Sequence, residues 1–203
     1  MDADDNLWLF GGSGYNSTGS FGRLNDLWMF NMTSRWWTWV SGNDTINQAG
    51  TYGTKGVPAA GNVPGARRGS ISWIDSNDTL WLFGGYGFDS AGSFGYLNDL
   101  WMFNMTSGWW TWVSGNDTRD QAGTYGTKGL PAAGNVPGAR FDSVSSMDSD
   151  DNRWLFGGYG YDSADDFGRL NDLWMFNMTS RWWTWVSGND TRNQAGTYGT
   201  KGV

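Results

Sequence analysis

An all-β chain of stacked four-stranded sheets is predicted by three observations. First, the sequence repeats itself: Trp8, Trp81 and Trp154, 73 residues apart, open the segments LWLFGG, LWLFGG and RWLFGG, and each is followed by LNDLWMFNMTS and WWTWVSGNDT. Self-similarity at such a period means one supersecondary unit stacked on copies of itself. Second, the apolar mass lies in 16 Trp, 11 Phe and 8 Tyr, which suit buried, pleated strands, while 32 Gly against 4 Pro supply tight turns. Third, the strand-like segments carry large apolar groups on both faces. In WWTWV, for example, Trp110 and Trp112 share a face opposite Trp109 and Val113. A sheet with one wet side would show polar residues on that side, so these sheets must be covered on both.

The elements follow in order. In the middle copy, strands are predicted at residues 68–75, 79–84, 98–104 and 109–114. The turns DSNDT at 75–79 and NMTSG at 104–108 separate the first pair and the last pair. No segment of comparable strength shows a 3.6-residue period, so helix is not expected. The flanking copies repeat this pattern. The predicted units are therefore blade 1 at residues 1–57, lacking its first strand, blade 2 at 58–130, and blade 3 with a trailing inter-blade loop at 131–203.

A Gly-Gly pair after an apolar strand, then Asn-Asp-Leu-Trp with an aromatic, then a Trp resembles the kelch repeat of β-propellers. The residues are Gly84, Gly85, Asn98–Trp101, Phe103 and Trp110 in the middle copy, Gly11, Gly12, Phe30 and Trp37 in the first, and Gly157, Gly158, Phe176 and Trp183 in the third. The resemblance spans essentially the whole chain. Two departures stand out: the family's usual Tyr before the turn is Phe here, and its usual Gly-His after the first-strand Arg reads Arg68-Gly69-Ser70 and Phe141-Asp142-Ser143. The Gly/Asn-rich tracts between repeats are similar to those of secreted bacterial-type kelch proteins in the galactose-oxidase-like propeller superfamily. That similarity implies an extracellular or cell-surface location. Some propellers of that superfamily are copper oxidases with His, Tyr and Cys ligands, and a chain with 0 His and 0 Cys cannot build that site.

Three periods would span 219 residues, 16 more than the chain has, and residues 1–6 align with 147–152 inside the third copy. Known propellers close with about four to eight blades, so three do not make a ring. The expectation is part of a larger ring, a ring completed by another copy, or an extended assembly. Partners are then further copies of the chain or the rest of a longer repeat array.

Composition excludes several function classes. A net charge of −7 argues against a nucleic-acid partner, which wants a basic stripe. No run has the apolar length of a membrane span. With no His and no Cys, Ser-His-Asp and Cys-His constellations and imidazole metal sites are absent, so no catalytic residue, metal or cofactor is expected. Asp2/Asp4/Asn6 and Asp148/Asp150/Asn152 have the D-x-D-x-N spacing of calcium loops but lack the following Gly and distal Glu, which favours plain turns. The paired Asp165 and Asp166 occur in one copy only, within a loop.

Two groups of candidate residues remain. Asn16, Asn31, Asn43, Asn77, Asn104, Asn116, Asn177 and Asn189 sit in Asn-x-Ser/Thr sequons, all in predicted turns or loops where a glycan could project. Asn and Thr serve equally as turn formers there. Strand alternation puts Asn77 with Asn31, Asn104 and Asn177 on one flat face, and Asn16 with Asn43, Asn116 and Asn189 on the other. Trp36, Trp109 and Trp182, with Tyr52, Tyr125 and Tyr198 in the long loops, are candidates to stack on sugars or touch a partner; inter-blade packing is the alternative role for the Trp. The repeats differ mainly at 13–20, 86–93 and 159–166 and in the first strand, regions that would meet a partner or line the channel. The reading is a non-enzymatic extracellular structural or interaction module, glycosylated and assembled into a larger oligomer or filament. Its rival is a lectin-like propeller.

Overall fold

The computed structural model describes residues 1–202; Val203, the last residue of the predicted third unit, lies outside the described residues. Thirteen strands run in chain order: β1 (Leu7–Tyr15), β2 (Phe21–Asn31), β3 (Trp36–Ser41), β4 (Arg67–Arg68), β5 (Ile71–Ile74), β6 (Thr79–Phe88), β7 (Phe94–Asn104), β8 (Trp109–Ser114), β9 (Arg140–Phe141), β10 (Val144–Met147), β11 (Arg153–Tyr161), β12 (Phe167–Asn177) and β13 (Trp182–Ser187). No helix occurs among the described residues. Three antiparallel sheets result: β1-β2-β3, then β5-β6-β7-β8 with β4 also on β6, then β10-β11-β12-β13 with β9 also on β11. These are the blades of an all-β propeller whose ring is incomplete.

Two of the expected strand limits are corrected. The first strand of the middle blade is two pieces, β4 and β5, because Gly69 adopts a left-handed φ of 63° and breaks the ladder between them. The second strand does not stop at Gly84. Its Gly-Gly pair forms a β-bulge between Phe83 and Gly85, and β6 continues to Phe88 against a longer β7. Only glycine fits there. Gly84 and Gly85 have φ of 63° and 107°, and an added Cβ would lie 2.8 Å from the Arg140 carbonyl oxygen and 2.2 Å from Ser70 Oγ.

The core lies between blades. Leu27, Leu80, Leu82, Trp101, Phe103 and Trp110 form the cluster at the first junction, with Trp8 and Phe10 packed against it. Trp81, Phe83, Leu100, Leu155, Trp174, Phe176 and Trp183 form the second. Aromatic contacts repeat with the period: Phe10 meets Trp110 edge-on at 5.5 Å, and Phe83 meets Trp183 at 5.3 Å. Cross-blade strand contacts are made mainly by β4, β5, β9 and β10, so the blades converge on their first strands and splay toward the fourth.

The long inter-blade loops cover the outer sheet edge. The Gly56 amide donates to the Trp112 carbonyl, and Ala59 bridges Trp110; Gly129 and Ala132 repeat this on Trp185 and Trp183. Such cover satisfies groups that an open edge strand would leave bare. β3 receives no such loop, and β1 pairs only with β2.

Candidate functional site

Each complete blade is organised round one buried carboxylate. Asp99 lies fully buried on β7 and receives both guanidinium nitrogens of Arg67, at 2.6 and 2.7 Å. It also accepts from the Tyr52 hydroxyl at 2.6 Å and the Trp101 indole at 2.7 Å. The third blade builds the same unit from Asp172, Arg140, Tyr125 and Trp174. A buried ion pair is tolerable only when its remaining lone pairs and protons are satisfied, and here they are: Arg67 Nε donates to the Gly65 carbonyl and Nη1 also to that of Gly84. Burial, followed by the adjacent Asp99 or Asp172 charge, pushes both phenols well above their ordinary range. Burial opposes ionisation of Asp172, but the Arg140 guanidinium outweighs it and holds the carboxyl below its usual value.

This corrects two expected contact residues. Tyr52 and Tyr125 are not available to a ligand; both are 5% exposed, closing the carboxylate network of the next blade. Tyr198, their third-copy equivalent, is 94% exposed. Trp36, Trp109 and Trp182 stand at the surface, at 75%, 43% and 43%. Trp110 and Trp183 are core residues, whereas Trp37 is half exposed because nothing covers its face of blade 1.

The sequon asparagines lie in turns and loops, except Asn31, Asn104 and Asn177, which end β2, β7 and β12. The side-chain oxygens of Asn31, Asn104 and Asn177 accept from backbone amides of the third–fourth turn. Asn31 and Asn177 also donate to Asn6 and Asn152 of the first–second turn, which puts those two turns on one face. Asn43, Asn116 and Asn189 are exposed beside Asn25, Asn98 and Asn171. Asn16 caps its own loop, and that loop meets the inter-blade loop through the Ser17 amide and the Asp44 carbonyl, on the opposite face. Asn77 is exposed in the first–second turn. The acidic D-x-D-x-N segments are Asx-type turns: Asp2 accepts from the amides of Asp4 and Asn6 and from the Trp8 indole, and Asp148 repeats this.

An aromatic–arginine cluster on the second–third loop face is the feature that sequence reasoning did not assemble. Tyr86 stacks on Tyr96 at 4.6 Å, Tyr96 meets Phe167 at 4.4 Å and Phe141 at 5.5 Å, and Tyr159 meets Phe167 at 4.3 Å. Arg68 lies over Tyr86 and Phe141, Arg23 over Phe94, and Arg169 over Tyr159. Burial and the neighbouring Arg68 charge pull Arg23 below its ordinary value, so two guanidiniums share this surface. A cleft of about 500 Å³ opens beside Phe141, Tyr159 and Arg169. Guanidiniums held on ring faces can still donate N–H edges to a carboxylate, and the rings offer stacking; Asp142 also lines the cleft. Part of the signal was available, since Tyr86, Tyr159, Arg68 and Phe141 fall where the repeats differ, whereas Phe94 and Phe167 are the same in every copy.

Comparison with known proteins matches this geometry. Residues 48–199 match the model of the KLHDC2/KLHL20/DRC7 Kelch-repeats domain. The solved structure of YjhT superposes with a TM-score of 0.57 at 14% identity, covering 93% of this chain and 50% of that one. A copper-bound fungal alcohol oxidase of the AA5 family aligns at 12% identity over 90% of this chain and 28% of its own, with a TM-score of 0.48. No curated protein matches the chain. The chain thus spans half the length of YjhT. With bulged Gly-Gly strands, a buried Arg–Asp pair in each complete blade and a family model matching residues 48–199, the chain belongs to the kelch-repeat family of β-propellers.

Proposed function

We propose that this chain is a non-enzymatic, extracellular interaction module, glycosylated at its turns and used as a building block of a larger assembly. One observation carries the reading: the two outer blades expose the two halves of the surface that the internal junctions bury. Blade 1 leaves Leu9, Trp37 and Trp39 uncovered, and blade 3 leaves Val144, Met147 and Phe156 uncovered. Of their middle-blade counterparts, Leu82, Phe83 and Trp110 are at most 2% exposed, and Trp112, Ile71 and Ile74 are partly buried. Apolar patches of this kind on a soluble protein mark interaction surfaces. Near-identical repeats suit the role, because identical faces present identical contacts. The sequons lie in turns, loops and strand ends toward the two flat faces, and Asn16 and Asn43 border a hollow of blade 1 beside Trp28 and Trp39. No helix among the described residues is long and apolar enough to cross a membrane.

Secretion from a eukaryotic host tests this reading. The expected product carries glycosidase-sensitive mass and forms oligomers or filaments visible by electron microscopy. An unglycosylated protein that stays monomeric at high concentration would contradict it. Carbohydrate binding is a second reading, favoured now by the Tyr86–Tyr96–Tyr159 cluster and no longer by Tyr125. A glycan-array signal lost on Tyr159→Ala would support it.

A further inference from the structure

The trailing loop carries donors that have no acceptor among the described residues, and blade 1 carries the matching acceptors. In the two internal junctions the inter-blade loop docks on the next blade through two recurring side-chain contacts. Tyr52 donates to Asp99 and Lys55 to the Gly115 carbonyl at 2.6 Å; 73 residues on, Tyr125 donates to Asp172 and Lys128 to the Gly188 carbonyl at 2.7 Å. Each lysine also lies 4.2 Å from the ring centre of the fourth-strand Trp, Trp112 or Trp185. The third loop has the same residues, Tyr198 and Lys201, both exposed. At the other end of the molecule, Asp26 accepts only from the Trp28 indole, and Gly42 and Trp39 stand where Gly115 and Trp112 stand in the middle blade. The apolar surface round them, Leu9, Trp28 and Trp37, lines an open hollow of about 420 Å³.

We propose that the loop at residues 194–202 docks on blade 1 of a second copy, Tyr198 donating to Asp26, and Lys201 donating to the Gly42 carbonyl over Trp39. The inference deepens the assembly reading and rests on it. The contact joins opposite ends of two molecules and repeats the loop docking of the internal junctions without their first-strand contacts, so it is a head-to-tail interface that makes a ring if the rotation closes. Two copies supply six blades, within the range of about four to eight with which propellers close, so the closed form is a dimer with two such contacts.

Sedimentation equilibrium of the full chain tests this, with Tyr198→Phe and Asp26→Asn as the variants. Tyr198 is exposed, and Asp26 is partly buried with a single indole donor that Asn can still receive, so the variants should keep the wild-type circular dichroism. The expected result is a reversible dimer whose dissociation constant rises roughly ten- to a hundredfold in either variant, as for loss of a hydrogen bond to a charged group. The double variant should be little worse than either single one, because both remove the same contact. An oligomer of unchanged affinity in Tyr198→Phe would overturn this docking while leaving assembly through other surfaces standing. A chain that remains monomeric throughout would overturn both.

Discussion

The first and middle blades are nearly the same sequence in two different environments, and the contrast separates what a repeat does for itself from what its neighbours do for it. The segments 24–34 and 97–107 are identical. In the middle blade, Asp99 receives Arg67, Tyr52 and Trp101; in blade 1, Asp26 receives Trp28 alone. Trp110 is buried against Phe10 of the preceding blade, while the equivalent Trp37 stands half exposed. Local sequence therefore specifies the hairpins, but burial and polar satisfaction belong to the stack. This is how repeat proteins distribute stability: intrinsic terms per unit plus nearest-neighbour interfaces.

The largest effects should fall on the middle blade. Asp99→Ala strands a buried guanidinium and should cost about 3–5 kcal/mol, whereas Asp26→Ala should cost about 1 kcal/mol or less, both read by denaturant titration. Trp110→Ala against Trp37→Ala should repeat that contrast, with about 3–5 kcal/mol lost at the buried site. Equal losses at the two sites of either pair would break the comparison.

A gain is expected in blade 3. Arg153 is 1% exposed, leaves three guanidinium nitrogens without hydrogen bonds, and reaches Asp151 only at 3.7 Å. The other copies have Leu7 and Leu80 there. Arg153→Leu should raise stability by about 1–3 kcal/mol, seen as a higher melting temperature, because it removes an uncompensated buried charge.

The smallest effects should appear with pH. The Tyr52 and Tyr125 phenols are raised in the folded chain, so their contribution is intact below the unfolded value of about 10 and is lost as pH climbs above it. Asp172 is lowered, so its contribution is intact above about pH 4 and is lost as pH falls through the lower folded value. Melting temperatures scanned across pH should decline at both ends. Tyr52→Phe should flatten the alkaline decline.

Much of this was legible before any coordinates. The 73-residue spacing and the two-sided apolar strands require stacked sheets, but nothing in WWTWV separates the buried Trp110 from the partly exposed Trp109. The site was less legible. Tyr52 lies in a Gly-rich loop that looks exposed, and its carboxylate partner is 47 residues away in the next blade. No local pattern joins them, although their shared period was a clue. The Gly-Gly pair looked like a strand end because a bulge and a turn use the same left-handed glycines. The aromatic–arginine face is assembled from β2, β4, β6, β7, β9, β11 and β12, so topology alone brings it together.

The central claim is that neighbours, rather than local sequence, confer stability on each blade. Native-state hydrogen exchange of the dilute monomer tests it most directly, because β1, β6 and β11 differ enough in sequence to give separate peptides. The account predicts slowest exchange in β6, paired on both edges and covered on both faces, and fastest in β1, with one open edge and one bare face. Equal protection of β1 and β6 would contradict it.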